Sequence, residues 1–278
     1  MPAAQFTLLE DRGILAVTGE DRASFLQGLV SNDTAKLGGG ALYAALLTAQ
    51  GKYLHDFIMV ERDGAIWLDT EAARLPDLKR RLSIYKLRAK VAIDERPELA
   101  VAAVFGGSLP DIAFPDPRLA ELGGRVVLPR EQIRATLAGL GLAEADFAAY
   151  DSLRLGLGVP DGSRDLVVDK SILLESGFDE LNGVDWQKGC YIGQELTART
   201  KYRGLIKKRL FPVHIDGAAP QPGAILTLDG KEAGEMRSSR GDRGLALLRL
   251  ETYARELGAD SATVRATTPG WMRIETAD

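Results

Sequence analysis

KGCYIGQELTART, residues 188–200, is the densest run of reactive and conformationally special residues in this chain. Two glycines, Gly189 and Gly193, bracket a thiol and an aromatic ring, and glycine there permits positive φ or close backbone approach to a ligand. Gln194 and Glu195 stand where a helix is expected to start, and 196–199 is compatible with its continuation. A thiol just ahead of a helix N-terminus, with Lys188 close by, has its thiolate favoured by exposed amide groups and positive charge. Cys190 is therefore the candidate functional thiol, with Lys188 as its candidate catalytic neighbour. A buried cysteine acting as a small hydrophobe is the alternative.

Cys190 is also the only cysteine. An intrachain disulfide is excluded, so nothing asks for an oxidising compartment. A resident cluster held by four thiolates is excluded too, although one thiolate can be donated across an interface or during transfer. The two histidines, His55 and His214, have no metal-binding spacing, and no metal site is expected. Gly156 and Gly158 begin a G-x-G whose third glycine position is Asp161, and neither a Walker pattern nor a G-x-S-x-G elbow occurs.

Outward from the motif, 278 residues that are 45% hydrophobic and 27% charged describe a globular protein of about two or three packed units. The opening MPAAQFTLLEDRGILAV has no basic stretch ahead of an apolar one, and no apolar run approaches the roughly 20 residues that span a bilayer. A cytoplasmic protein without a membrane partner is expected. Net charge is −4, divided as +3 over residues 201–278 and −7 over residues 1–200. Arg199, Lys201, Arg203, Lys207, Lys208 and Arg209 follow one another with no intervening carboxylate. They form a solvated face or a surface for a polyanion, nucleic acid or an acidic protein.

Periodicity predicts a strand at Arg12–Thr18 and a helix carrying Phe25, Leu26, Leu29 and Val30, capped by Glu20 or Asp21. Strands follow at 42–48, 52–61 and 65–69, with Asp63-Gly64 as a hairpin turn. Leu75, Leu78, Leu82 and Tyr85 mark one face of a helix over 75–87, with strands near 89–94 and 98–105 behind it. Residues 106–117 read as a loop, and 130–140 and 143–155 as helices. From 206 onward, short β-type runs at 209–215, 224–228, 231–237, 245–250 and 262–268 predict a small barrel or sandwich. Without regular βαβ alternation, the body is α+β.

The run K-G-C-Y-I-G-Q-E, continued by Ala198, Arg199, Arg203 and Gly204, resembles the signature of the folate-binding YgfZ-type family, related to the glycine-cleavage aminomethyltransferases. Leu174–Phe178, Gly183-Val184, Phe25-Leu26-Gln27, Asn32-Asp33, 51–56 and 85–91 are similar at lower specificity. The resemblance implies an aminomethyltransferase-like ring around a tetrahydrofolate pocket. Residues 1–205 would form the folate-binding body of two interleaved α+β subdomains, and 206–278 a C-terminal β-barrel. It also implies an accessory protein for assembly, insertion or repair of [4Fe–4S] clusters, partnered by client enzymes or assembly proteins, with Cys190 essential and no stably bound cluster of its own.

Asp56, Arg154, Tyr191, Gln194, Glu195 and Arg199 are the folate contacts that the resemblance implies. The transferases carry two carboxylates where this chain has His55-Asp56, which sets it apart from a classical transferase. Asp56 either faces a pterin or pairs with a basic neighbour. Arg154 either clamps the carboxylate of a folate glutamate tail or forms an interdomain salt bridge. Trp186 and Tyr191 either stack on the pterin or pack in a core. Two other functions are compatible with the motifs: a tetrahydrofolate-dependent aminomethyl- or methyltransferase using Asp56, and an RNA-modification accessory using 199–209. The negative net charge disfavours the latter.

Overall fold

The computed structural model describes residues 4–204, 206–259 and 261–274, so the domain boundary expected at 205 and the chain's last four residues fall outside it. The chain contributes β1 (Gln5–Leu8) to one sheet and then leaves to build another. That second sheet comprises β2 (Arg12–Thr18), then, after α1 (Arg22–Gln27), β3 (Leu42–Leu47), β4 (Tyr53–Arg62) and β5 (Ala65–Glu71), and, after α2 (Leu75–Lys86), β6 (Ala92–Glu95). Its order is β3-β4-β5-β2-β6, antiparallel throughout. The chain returns to the first sheet with β7 (Leu99–Phe105), β8 (Phe114–Pro115) and β9 (Gly124–Pro129), then, after α3 (Ile133–Gly139), β10 (Ala143–Glu144), in the order β10-β1-β7-β9-β8.

The alternation of β7 shows how the layers form. Leu99, Val101, Ala103 and Phe105 join a core shared with Ile14, Tyr43 and Ile58 of the other sheet, while Ala100, Ala102 and Val104 pack with Ile133 and Leu137 of α3. A strand buried on both faces needs this continuous apolar run. On the outer face of the other sheet, Leu75, Leu78 and Leu82 of α2 and Leu26 of α1 close a separate core. Each such leucine contributes roughly 1.5–3 kcal/mol through burial.

After α4 (Phe147–Leu157) the chain runs through short 3₁₀ turns to α5 (Gln194–Tyr202). It then forms β11 (Lys208–Asp216), β12 (Ile225–Leu228), β13 (Lys231–Arg240), β14 (Arg243–Arg249), β15 (Leu257–Ala259) and β16 (Ala262–Ala266). These six close into a barrel in the order β11-β14-β13-β12-β15-β16 around its own core. Both Asp-Gly pairs are hairpin turns with positive φ at each residue, 52° and 72° at Asp63-Gly64 and 50° and 76° at Asp229-Gly230, as type I′ turns require.

The α+β class and the C-terminal barrel match the sequence reading, with four local corrections. Residues Ala143–Glu144 pair with β1 rather than starting a helix, and α4 begins at Phe147, capped by the Asp146 carboxylate. Phe114–Pro115 forms a short edge strand inside the expected loop, paired with β9, a strand the periodicity did not single out. β15 adds a barrel strand too short to carry a pattern. Tyr85 is exposed, since the buried face of α2 ends at Leu82.

Candidate functional site

The approach to Cys190 is fixed by Asp185 and Lys188. The Asp185 carboxylate accepts the backbone N–H groups of Gln187 at 2.8 Å and Lys188 at 3.1 Å, and its other oxygen pairs with the Lys36 ammonium. The Lys188 ammonium is buried and donates to the carbonyls of Gln27, Val30 and Asn32 at 2.8, 2.6 and 2.8 Å. These carbonyls lie at and just beyond the end of α1, where a helix leaves acceptors without donors and favours a cation. Burial pushes Lys188 down to about 8, so at neutral pH it remains the ammonium that three acceptors require. Its three N–H bonds are directed at carbonyls, making it an anchor of the loop rather than a partner of the thiol.

The other side of the loop is held by two glycines. Gly193, the N-cap of α5, has φ 82°, and a Cβ there would lie 2.5 Å from the Thr48 carbonyl oxygen. Across from it, Gly51 has φ 68°, and its Cβ would come within 3.1 Å of the Gly193 carbonyl. Side chains at either position would separate the β3–β4 turn from the start of α5. Between the two anchors, Gly189 and Cys190 are exposed. Tyr191 is buried with its ring 5.0 Å from the Lys188 ammonium. Its hydroxyl has no hydrogen bond of good geometry, because the nearby Thr197 hydroxyl donates to the Gly193 carbonyl, and burial pushes the phenol up to about 12. Gln194 is half-buried in the first turn of α5, where the exposed Glu195 and Arg199 pair with each other at 2.7 Å.

Asp56 lies elsewhere, between the two sheets. The β3–β4 register shifts so that Leu46 faces His55 while Leu47 faces Tyr53, which leaves Leu54 as an extra residue. This bulge brings Tyr53 and Asp56 to one face, where residues three apart on a regular strand would oppose. The Asp56 carboxylate then accepts both phenols, Tyr53 at 2.8 Å and Tyr43 at 2.9 Å. Burial outweighs the Arg12 charge and these bonds, and holds the carboxyl above its usual range. His55 faces the helices instead. Its Nε2 donates to Asp77 of α2 at 3.0 Å, its Nδ1 is buried without a partner among the described residues, and burial lowers it to about 4.

Around Asp56 runs a buried ionic lattice. Asp69 accepts Arg12 Nε at 2.8 Å on one oxygen and pairs with Arg125 on the other. Asp116 binds Arg118 through both oxygens, at 2.9 and 2.7 Å; against the effect of burial, Arg118 holds it at about 2. Arg154 reaches Asp151 at 2.7 Å, Asp165 at 2.8 Å, the Val159 carbonyl at 3.2 Å and Ser238 of the barrel at 3.1 Å. Its guanidinium thus ties α4 to β13. The cavity among Arg12, Arg118, Arg125 and Arg154 measures about 10 Å³, room for about one water. Asp56 is thus engaged by two phenols, and Arg154 by Asp151, Asp165 and Ser238, all within the protein itself.

A larger cleft of about 440 Å³ lies between the 179–186 segment, the end of α5 and the barrel. Trp186 and Trp271 line it together with Lys201, Arg209 and Arg273, and Arg209 Nε is buried there without an acceptor among the described residues. None of the six residues expected to contact folate lines this cleft. Trp271 and Arg273 were not singled out from sequence, because the cleft joins segments about 70 to 90 positions apart. The cationic run is also largely neutralised: Arg199 pairs with Glu195, Lys201 with Asp179, Lys208 with Glu232 and Arg209 with Glu180. Among the described residues, no group of three or more His, Cys, Asp or Glu is arranged to hold a metal ion.

A two-sheet body closed by a six-stranded barrel is the aminomethyltransferase fold. The crystal structure of glycine cleavage system aminomethyltransferase T from Bartonella henselae superposes over 97% of this chain and 86% of that one, with a TM-score of 0.78 at 16% identity. Residues 207–274 match the family model of the CAF17 C-terminal beta-barrel domain. The chain is 35% identical to the mitochondrial iron–sulfur cluster assembly factor IBA57 of Mus musculus and to that of Homo sapiens, in each case over 95% of this chain and 84% of the relative. It is 32% identical to the homologue of Pyricularia oryzae, over 89% of this chain and 72% of that one. The chain belongs to the IBA57 family of iron–sulfur cluster assembly factors.

These relatives overturn the cytoplasmic expectation, since each is a mitochondrial protein by name. A lone free thiol is compatible with any reducing compartment, so it could not make that distinction.

Proposed function

We propose that this chain assists iron–sulfur cluster assembly by offering Cys190 as a single exchangeable thiolate ligand to clusters bound for [4Fe–4S] client enzymes, as in the YgfZ-type family its motif resembles. The observation that carries this reading is one exposed cysteine on a loop clamped by Lys188 on one side and by Gly193 on the other. In the exchange, the Cys190 thiol gives its proton to solvent, its sulfur bonds iron and one donor ligand leaves, with no change of oxidation state. One thiolate holds a cluster only jointly with a partner's ligands. Cys190→Ser is expected to abolish support of [4Fe–4S] enzyme activity in cells lacking the wild-type chain, with protein level and Tm unchanged. Full support by this variant would overturn the reading.

Tetrahydrofolate belongs to the same proposal at the 440 Å³ cleft. Trp186 and Trp271 line it as aromatic neighbours for a pterin, and Arg273 offers a cation to a glutamate tail. Bound there, it would supply a nitrogen that accepts one-carbon units. Tetrahydrofolate is expected to quench tryptophan fluorescence, and Trp186→Ala to weaken binding while Asp56→Asn leaves it unchanged. The reverse pattern would place folate at the Asp56 centre. An aminomethyltransferase using Asp56 gains no support from a carboxyl enclosed by two phenols, nor does RNA binding from a cationic run largely paired with carboxylates.

A further inference from the structure

The α2 terminus is an exposed apolar knob that the fold leaves uncovered. Leu75, Leu78 and Leu82 bury the first turns of the helix, but all six residues from Ser83 to Arg88 are exposed. Three of them are large and apolar: Ile84 is 60% exposed, Tyr85 45% and Leu87 89%. Leu87 carries this side chain from a backbone at φ 41° and ψ −108°, a region that L-residues rarely occupy. Strain of this kind persists where the surrounding structure enforces it, and it concentrates at functional positions. Here it projects the most exposed large apolar side chain of the described residues into solvent.

The surroundings of the knob are cationic. Between Asp77 and Asp94 the chain carries Lys79, Arg80, Arg81, Lys86, Arg88 and Lys90 and not one carboxylate. Asp77 engages Arg80 and Arg81, Asp94 engages Lys79 and Glu20 engages Lys90. Lys86 and Arg88, which flank Leu87, have no ion-pair partner among the described residues. The patch is thus positive although the whole chain carries −4.

We infer that the Ile84–Arg88 tip docks the protein on an anionic phospholipid surface. Leu87, Ile84 and Tyr85 enter the headgroup boundary, and Lys86 and Arg88 contact lipid phosphates. An exposed apolar tip flanked by cations suits a bilayer interface, which needs no complementary pocket. That no helix of the described residues is long and apolar enough to cross a membrane does not bear on such peripheral contact. This inference is independent of Cys190 and of the folate cleft.

Co-sedimentation of the full chain with vesicles tests it. Binding is expected to vesicles of phosphatidylcholine and phosphatidylglycerol at about 2:1, and to fall at least ~10-fold on phosphatidylcholine alone or in high salt, as screening demands. Leu87→Ser combined with Ile84→Ser should lower binding by about the same factor, and Lys86→Glu with Arg88→Glu should abolish it. Circular dichroism of these surface variants should match the parent, which separates lost docking from lost folding. Absence of binding to the anionic vesicles, or binding unaffected by both variant pairs, would overturn the inference and leave a protein partner as the occupant of the knob.

Discussion

The Asp56 centre and the Cys190 loop use charge in opposite ways. At the centre, Arg12 and Arg125 pair with Asp69, Arg118 with Asp116, and Arg154 with Asp151 and Asp165, around a space for about one water. At the loop, charge is used only for holding: Asp185 and Lys188 fix backbone groups, and the reactive atom stands outside their hydrogen bonds, exposed. The charges of the centre thus hold one another, whereas those of the loop hold backbone around an exposed sulfur. Substitutions at the centre should cost stability, and the substitution at the thiol should cost function alone.

The widest separation is expected between Cys190→Ser and Asp69→Ala. The first changes one exposed atom, and its stability should stay within about 0.5 kcal/mol of the parent while cluster-enzyme support disappears. The second strips the carboxylate shared by Arg12 and Arg125 and leaves two guanidinium groups buried without it. Breaking a buried pair on one side costs about 3–5 kcal/mol. Urea unfolding of both variants checks the contrast, and a destabilised Cys190→Ser with a stable Asp69→Ala would invert it.

His55 sharpens the same contrast through pH. Its ordinary value of 6.5 is lowered to about 4 in the fold, first because it is buried and then because Arg74 repels its cation. Between pH 6.5 and 4 the unfolded chain therefore binds the proton that the folded chain refuses, so stability falls as pH falls. At about 1.4 kcal/mol per pH unit, the loss reaches roughly 3 kcal/mol by pH 4. Protonation would also add a donor at Nδ1, which is buried without an acceptor. His55→Gln should flatten the stability profile over this window, as followed by thermal melts in matched buffers.

The two regions differed in how far they could be read from sequence. The cysteine loop was legible because its determinants are local: two glycines, a lysine and a helix start within thirteen residues. The barrel and the hairpins were legible from spacing and Asp-Gly pairs. The centre was not, because its order depends on partners far apart in the chain, such as Arg12 with Asp69 and Asp69 with Arg125. The bulge that turns Asp56 toward Tyr53 leaves no periodic trace, since the apolar run of β4 continues through it. Tyr85 was read as a core residue because helical spacing continues past Leu82, where the burial of α2 ends.

Lys188 gives a smaller expected loss of stability than Asp69 and a direct test of its own role. If it activates Cys190, Lys188→Met should slow thiol alkylation at unchanged stability. The geometry favours the opposite outcome, because the ammonium donates to three carbonyls behind α1. Methionine fills a similar volume but leaves those acceptors without a donor, at a cost of about 2 kcal/mol. The loop then loses one clamp while Gly193 keeps the other. Hydrogen exchange should therefore rise at 185–190 and at the end of α1, with the barrel unaffected, and cluster-enzyme support should decline in proportion to that loosening. Lys188→Arg should not restore it, since a planar fork cannot direct its N–H groups at three carbonyls converging on one point.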